Sequence, residues 1–167
     1  MENGAATSYE SRGDKMKKKM YVVILGAIVL TFFSIGYFII GNPIVYYHNL
    51  QLKFAVTNLD RNTNVITLNE IVPFEWDTVY TFEPYATKEE IAKIIGFDSN
   101  SIQETVSEGM VQLLFIKDKT VVSSVCAYAE NIGYRIDFQS NVSFDDNVLF
   151  TVDTSSDVIR LIKQEQP

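Results

Sequence analysis

Few residues in this chain could carry out chemistry. Among 167 residues there is one histidine, His48, and one cysteine, Cys126. A lone histidine excludes any two-histidine site, and a lone cysteine excludes both an internal disulfide framework and a multi-thiolate metal site. A Ser-His-Asp or Cys-His relay would have to use His48, just beyond a long apolar run, where a base would sit against lipid. His48 is therefore expected to be interfacial. Cys126, between Val125 and Ala127 in a strand-like run, reads as an inert buried thiol. The chain has no Ser-x-x-Lys or Gly-x-Ser-x-Gly pattern and no glycine-rich phosphate loop. Asp145 and Asp146, with Asp153 and Asp157 downstream, lack the alternating ligand positions and closing glutamate of a calcium loop. No metal, no cofactor and no enzymatic activity are expected. Glu75, Asp77 and Asp137 would serve a glycan hydrolase only if two of them met within a few ångströms in a cleft.

The other concentration of functional groups is aromatic. Between Phe74 and Tyr85 the chain places Trp76, Tyr80, Phe82 and Tyr85 beside Glu75 and Asp77. As a site, Glu75, Trp76, Asp77, Tyr80, Phe82 and Tyr85 would form a shallow aromatic pocket with an acidic rim, suited to a peptide, a sugar or a cationic group. As scaffold, they would be a core strand turning into a helix, with Asp77 bonding nearby backbone.

The pattern F-x-W-D-x-V-Y-x-F-x-P-Y over residues 74–85, followed by Thr87-Lys88-Glu89-Glu90-Ile91, resembles a segment of small bacterial proteins that are membrane-anchored or lipoprotein-like. The resemblance covers about two dozen residues. It implies a bacterial origin and an extracytoplasmic location, and it carries no activity. This chain differs from the lipoprotein members in having an apolar anchor and no lipidation cysteine beside it.

That anchor is Tyr21–Ile40, twenty residues without a charge, enough for a helix of roughly 30 Å that matches a bilayer core. Its length exceeds a signal-peptide core and no Ala-x-Ala site follows, so retention is expected. Tyr21, Tyr37, Tyr46 and Tyr47 fall where rings favour the interface, and Thr31 and Ser34 can bond back to helix carbonyls. Arg12, Lys15, Lys17, Lys18 and Lys19 precede the run, which places the N-terminus in the cytoplasm. The expected organisation is a basic tail over 1–20, a transmembrane helix over 21–41 with the bilayer as its partner, a juxtamembrane stem over 42–62 and an extracytoplasmic domain over 63–167. Residues 1–15 show no apolar periodicity and read as unstructured. Met16 is the expected native start; a native peptide spanning Lys15 and Met16 in a mass spectrum would refute this.

Charge divides along the same line. Residues 1–40 carry 5 basic and 3 acidic residues, whereas residues 41–167 carry 9 and 18. The outer domain is thus distinctly acidic, which disfavours nucleic acid and favours cationic partners. With 47% hydrophobic and 13% aromatic residues over its full length, the sequence is not that of a disordered chain.

The domain reads as α+β: a small antiparallel sheet with one or two short helices packed on it. Thr87 to Glu90 is a capping box, Ile91, Ile94 and Ile95 form a buried stripe, and Gly96 is a left-handed stop. Trp76–Phe82, Met110–Ile116, Thr120–Tyr128, Tyr134–Phe138 and Val148–Val152 read as strands, joined as a meander, and Val158–Ile162 suits a last strand better than a short helix. Residues 44–60 suit either a strand or a helix. An envelope or membrane protein is the expected partner, with two forms: a binding module, or an accessory subunit exposing apolar residues between Ile44 and Leu59.

Overall fold

The computed structural model describes residues 4–40 and 42–165, with side chains over 16–36 and 42–165. The chain divides into two units, Met1–Gly41 and Asn42–Pro167. The first is a single helix, α1 (Gly4–Ile40). Its stretch Met16–Gly36 has a mean hydropathy of 2.0 and no part of it buried, so it is long and apolar enough to cross a membrane. The hydroxyls of Thr31 and Ser34 donate to the carbonyls of Ala27 and Leu30, at 2.8 and 2.9 Å. Neither is left unsatisfied in an environment without water. Residues 4–15, expected to lack structure, continue the helix, because extending a formed helix costs far less than nucleating one. Tyr37, expected at the interface, lies outside the described side chains.

The second unit runs, in chain order, α2 (Pro43–Thr57), β1 (Val65–Thr67), α3 (Leu68–Ile71), β2 (Thr78–Tyr80), α4 (Lys88–Ile95), β3 (Met110–Lys117), β4 (Thr120–Tyr128), α5 (Ala129–Ile132), β5 (Tyr134–Asp137), β6 (Asn141–Ser143), a 3-10 turn (Phe144–Asp146), β7 (Leu149–Asp153) and β8 (Ile159–Lys163). It is α+β, as expected, but its strands form two sheets and not one meander. The first has the order β1-β7-β8-β5 and the second β4-β3-β2-β6. Every pairing is antiparallel except β5 with β8. The meander fails where α5 and Gly133, at φ 84°, carry the chain from β4 in the second sheet to β5 in the first.

Alternation along β3 allots its side chains to two cores. Leu113 and Phe115 face the main core with Leu52 and Val56 of α2, Val79, Tyr134, Phe150 and Leu161. Leu114 and Ile116 face a second cluster with Val45, Ile91, Ile102 and Val121. The hairpin between β3 and β4 turns on Asp118 and Lys119, both at positive φ (48° and 57°), the backbone that matches the strands' twist.

Residues 42–62 are not a stem outside the domain. Asn42 caps α2, its side chain accepting from the Ile44 amide at 3.0 Å, and Pro43 opens the helix where no amide donor is needed. Leu52 and Val56 are then fully buried in the core, so the folded unit begins at Asn42. The capping box of α4 is present and Gly96 is left-handed at φ 85°. Ile91 is buried as expected, but Ile94 is exposed, because this two-turn helix rests on the sheet through a narrow face.

Candidate functional site

The aromatic segment is split by the fold into scaffold and surface. Trp76 is buried, with Phe115 and Phe144 edge-on to it at ring centroids of 5.8 and 5.4 Å. Asp77 accepts from Lys117 Nζ at 2.7 Å and from the Asp118 amide at 2.8 Å. It therefore ties the end of β2 to the β3–β4 turn. Glu75 is exposed beside them. Half of the six expected binding residues are thus structural or peripheral, and Tyr80, Phe82 and Tyr85 remain.

Those three line one open groove of about 1410 Å³ with Ile94, Arg135 and Phe138. Tyr80 and Phe82 lie parallel, centroids 6.1 Å apart and planes 7° from each other, with their inner edges on the second core. The strand ends at Tyr80, two residues short of the expected end; the Thr81 amide still donates to the Ser140 carbonyl at 2.9 Å, and the left-handed Tyr85 lies beyond. Tyr85 has φ 69° and is exposed, an uncommon backbone for a bulky side chain. The hydroxyl of Thr105, itself buried, accepts from the Tyr85 amide at 2.9 Å and holds the turn.

The groove carries both signs of charge. Glu83, Glu90, Lys93 and Arg135 line it. Glu90 is engaged in the α4 cap, and hydrogen bonds from Thr87 hold its carboxyl below the usual range. Arg135 pairs with Asp137, which also accepts from Arg160 at 3.0 Å. Behind the groove is a smaller cavity of about 120 Å³ lined by Thr81, Met110, Gln112 and Arg135. Gln112 donates to the Gln103 carbonyl at 2.7 Å, while its buried Oε1 is the one such atom without a partner among the described residues. The cavity is large enough for water, which would satisfy that oxygen.

The remaining candidates resolve simply. His48 packs within the domain: its Nδ1 lies 2.8 Å from the Val122 carbonyl and its ring stacks on Phe74 at 4.4 Å. Cys126 is half-buried in β4, and burial pushes its thiol pKa up, away from the reactive thiolate. Asp145 and Asp146 belong to the 3-10 turn, where the Ser143 amide donates to Asp146. No three-residue metal cluster occurs among the described residues. Asp77 is engaged by Lys117 and Asp137 by Arg135 and Arg160, so each of these two carboxylates serves an ion pair of its own. Nothing in this geometry supports an enzyme.

Asp77 makes a pH dependence testable. The Lys117 hydrogen bond, then the Asp118 amide, hold its carboxyl below the ordinary value of 3.8. Between the folded value and 3.8 the unfolded chain binds more protons, so this contribution is complete above the ordinary value and lost as pH falls through the folded one. Asp77→Asn is expected to be less stable than wild type at neutral pH, with the gap closing below pH about 4. Urea titrations at stepped pH check this; a gap independent of pH refutes it.

No family model matches this chain, and no curated protein or solved structure matches it either.

Proposed function

We propose that this chain is a non-enzymatic, single-pass membrane protein whose N-terminus is cytoplasmic and whose residues 42–167 form an extracytoplasmic binding module. The groove at Tyr80, Phe82 and Tyr85 is its recognition site. The single observation that carries this reading is Tyr85. A left-handed backbone costs a non-glycine residue roughly 1–2 kcal/mol, and here it holds an aromatic ring out in solvent in the groove that two stacked rings also line. Strain kept at an exposed aromatic is characteristic of binding surfaces. A groove of about 1410 Å³ exceeds what one small molecule fills, which favours an extended polypeptide. The acidic domain steers basic partners toward it, so the partner is a basic segment of an envelope or membrane protein.

A photoreactive residue at Phe82, in the full chain in its own membrane, is expected to yield a discrete adduct that Tyr85→Gly diminishes. The same group at Leu149 gives none. Equal adducts at both positions refute the reading. Tyr85→Gly itself is expected to raise fold stability by about 1 kcal/mol while weakening capture. A tyrosine serving only the fold would give the opposite sign. A second reading, an accessory subunit of a larger membrane complex, draws on the apolar residues that α2 exposes.

A further inference from the structure

The outward face of α2 is apolar where a surface helix is ordinarily polar. Val45, Leu52 and Val56 define the buried side of the helix. Opposite them, at i, i+3 and i+7, stand Tyr47, Leu50 and Phe54, exposed by 58, 48 and 70%. Gln51, the polar neighbour on this face, donates to the Tyr47 hydroxyl at 3.1 Å, and Ile44 extends the stripe. Beside it Leu50, Phe54, Ala55 and Pro73 line a shallow groove of about 610 Å³.

Resting on the proposed membrane anchoring, we infer that this face of α2 lies in the headgroup region of the bilayer as an interfacial helix. Two observations select lipid over a protein or a second copy. The first is reach: only Gly41 and Asn42 separate the end of α1 from Pro43, and the three links from Ile40 to Pro43 extend by at most about 11 Å. The first turn of α2 therefore cannot leave the vicinity of a bilayer that α1 enters, and even weak affinity acts at high effective concentration. The second is charge. No acidic residue occurs between Asp14 and Asp60, although residues 41–167 hold 18 of them. The acid-free stretch continues past the membrane span and ends three residues beyond α2. Nothing in the span's own needs requires that extension, but a helix lying on anionic headgroups does. Tyr46 and Tyr47 in its first turns are the ring type that favours this depth.

The test uses the full chain in phosphatidylcholine–phosphatidylglycerol vesicles, with single added tryptophans, each read as the difference from the parent chain that carries Trp76 alone, and lipids brominated at a shallow or a deep acyl position. Phe54→Trp is expected to lose roughly half its emission to the shallow label, as an apolar face 5–10 Å deep would. Leu149→Trp, on the first sheet, should lose far less. Val29→Trp, inside the span, should respond to the deep label. If Val29→Trp is quenched and Phe54→Trp is quenched no more than Leu149→Trp, this inference fails and the anchoring reading stands. If Val29→Trp is not quenched, the anchoring reading itself fails. Shielding of Phe54→Trp without lipid quenching, in a chain that is dimeric or complexed, also overturns the inference in favour of a protein occupant.

Discussion

Leu52→Ala is expected to destabilise the whole Asn42–Pro167 unit by about 2–5 kcal/mol, in a single transition. Leu52 is fully buried among Val56, Phe115 and the residues of both sheets, so truncation leaves a cavity whose lining cannot easily collapse. Trp76 reports the outcome directly. It is the chain's one tryptophan and sits edge-on to Phe115 in the same core. Urea unfolding of the full chain in mild detergent, followed by Trp76 emission, should show the midpoint falling with an unchanged slope. Leu50→Ala, two residues away on the exposed face, should stay within about 0.5 kcal/mol of wild type. Were α2 a stem outside the fold, the two variants would behave alike and Trp76 would register neither.

That contrast also explains why α2 was ambiguous in the sequence. Leu50, Leu52, Phe54 and Val56 alternate as a strand does, while Leu52, Val56 and Leu59 repeat as a helix does. A surface helix normally announces itself by its polar side, and here the outer side carries Leu50 and Phe54, which erases the contrast. Where the chemistry is local, the sequence shows the element plainly. The α4 cap needs only Thr87, Glu90 and Gly96, and the hairpin needs only two apolar runs around Lys117-Asp118-Lys119. Thr67-Leu68-Asn69-Glu70 has the same capping signature, and Glu70 does close a box on α3. A four-residue helix has no periodic stripe, so the box alone is a weak signal in the sequence.

What pairs across long separations left little trace. β5 lies parallel to β8, and neither strand's composition differs from that of an antiparallel neighbour. The candidate site divides in the same way. Trp76, Asp77, Tyr80 and Phe82 stand out as a group in the sequence, but which of them face solvent depends on partners distant in the chain, Phe115 and Phe144 for Trp76 and Lys117 for Asp77. Arg135 and Phe138 join the groove only because the first sheet comes alongside the second. Gln112 and its cavity have no sequence signal beyond one polar residue inside an apolar strand. Such a residue is a modest pointer to a buried hydrogen-bond network.

Asn49→Ala is expected to cost about 3 kcal/mol, close to a core truncation, although Asn49 is a polar residue on a helix. β4 is the edge of the second sheet, and an open edge is a surface on which another chain can pair. Asn49 closes it with its carboxamide in the place of a neighbouring peptide. The Ser124 amide donates to Asn49 Oδ1 at 3.0 Å, and Asn49 Nδ2 donates to the Ser124 carbonyl at 2.7 Å. The Ser123 hydroxyl adds a third bond to Oδ1 at 2.7 Å. Gln103 also donates to the Ser124 carbonyl, at 3.2 Å, so alanine strands chiefly the Ser124 amide and the Ser123 hydroxyl, both buried. Asn49→Asp separates the two halves of the effect. It keeps the acceptor but sets a second oxygen against the Ser124 carbonyl, which raises the folded pKa of the new carboxyl. A raised folded pKa contributes stability that is complete below the unfolded value near 3.9 and lost as pH rises through the folded one. Relative to wild type, Asn49→Asp should therefore recover as pH falls, while Asn49→Ala should not. Urea midpoints of the three proteins between neutral and acidic pH decide it. Asn49→Ala within 0.5 kcal/mol of wild type would mean that the edge of β4 is held by the packing of α2 and not by this carboxamide.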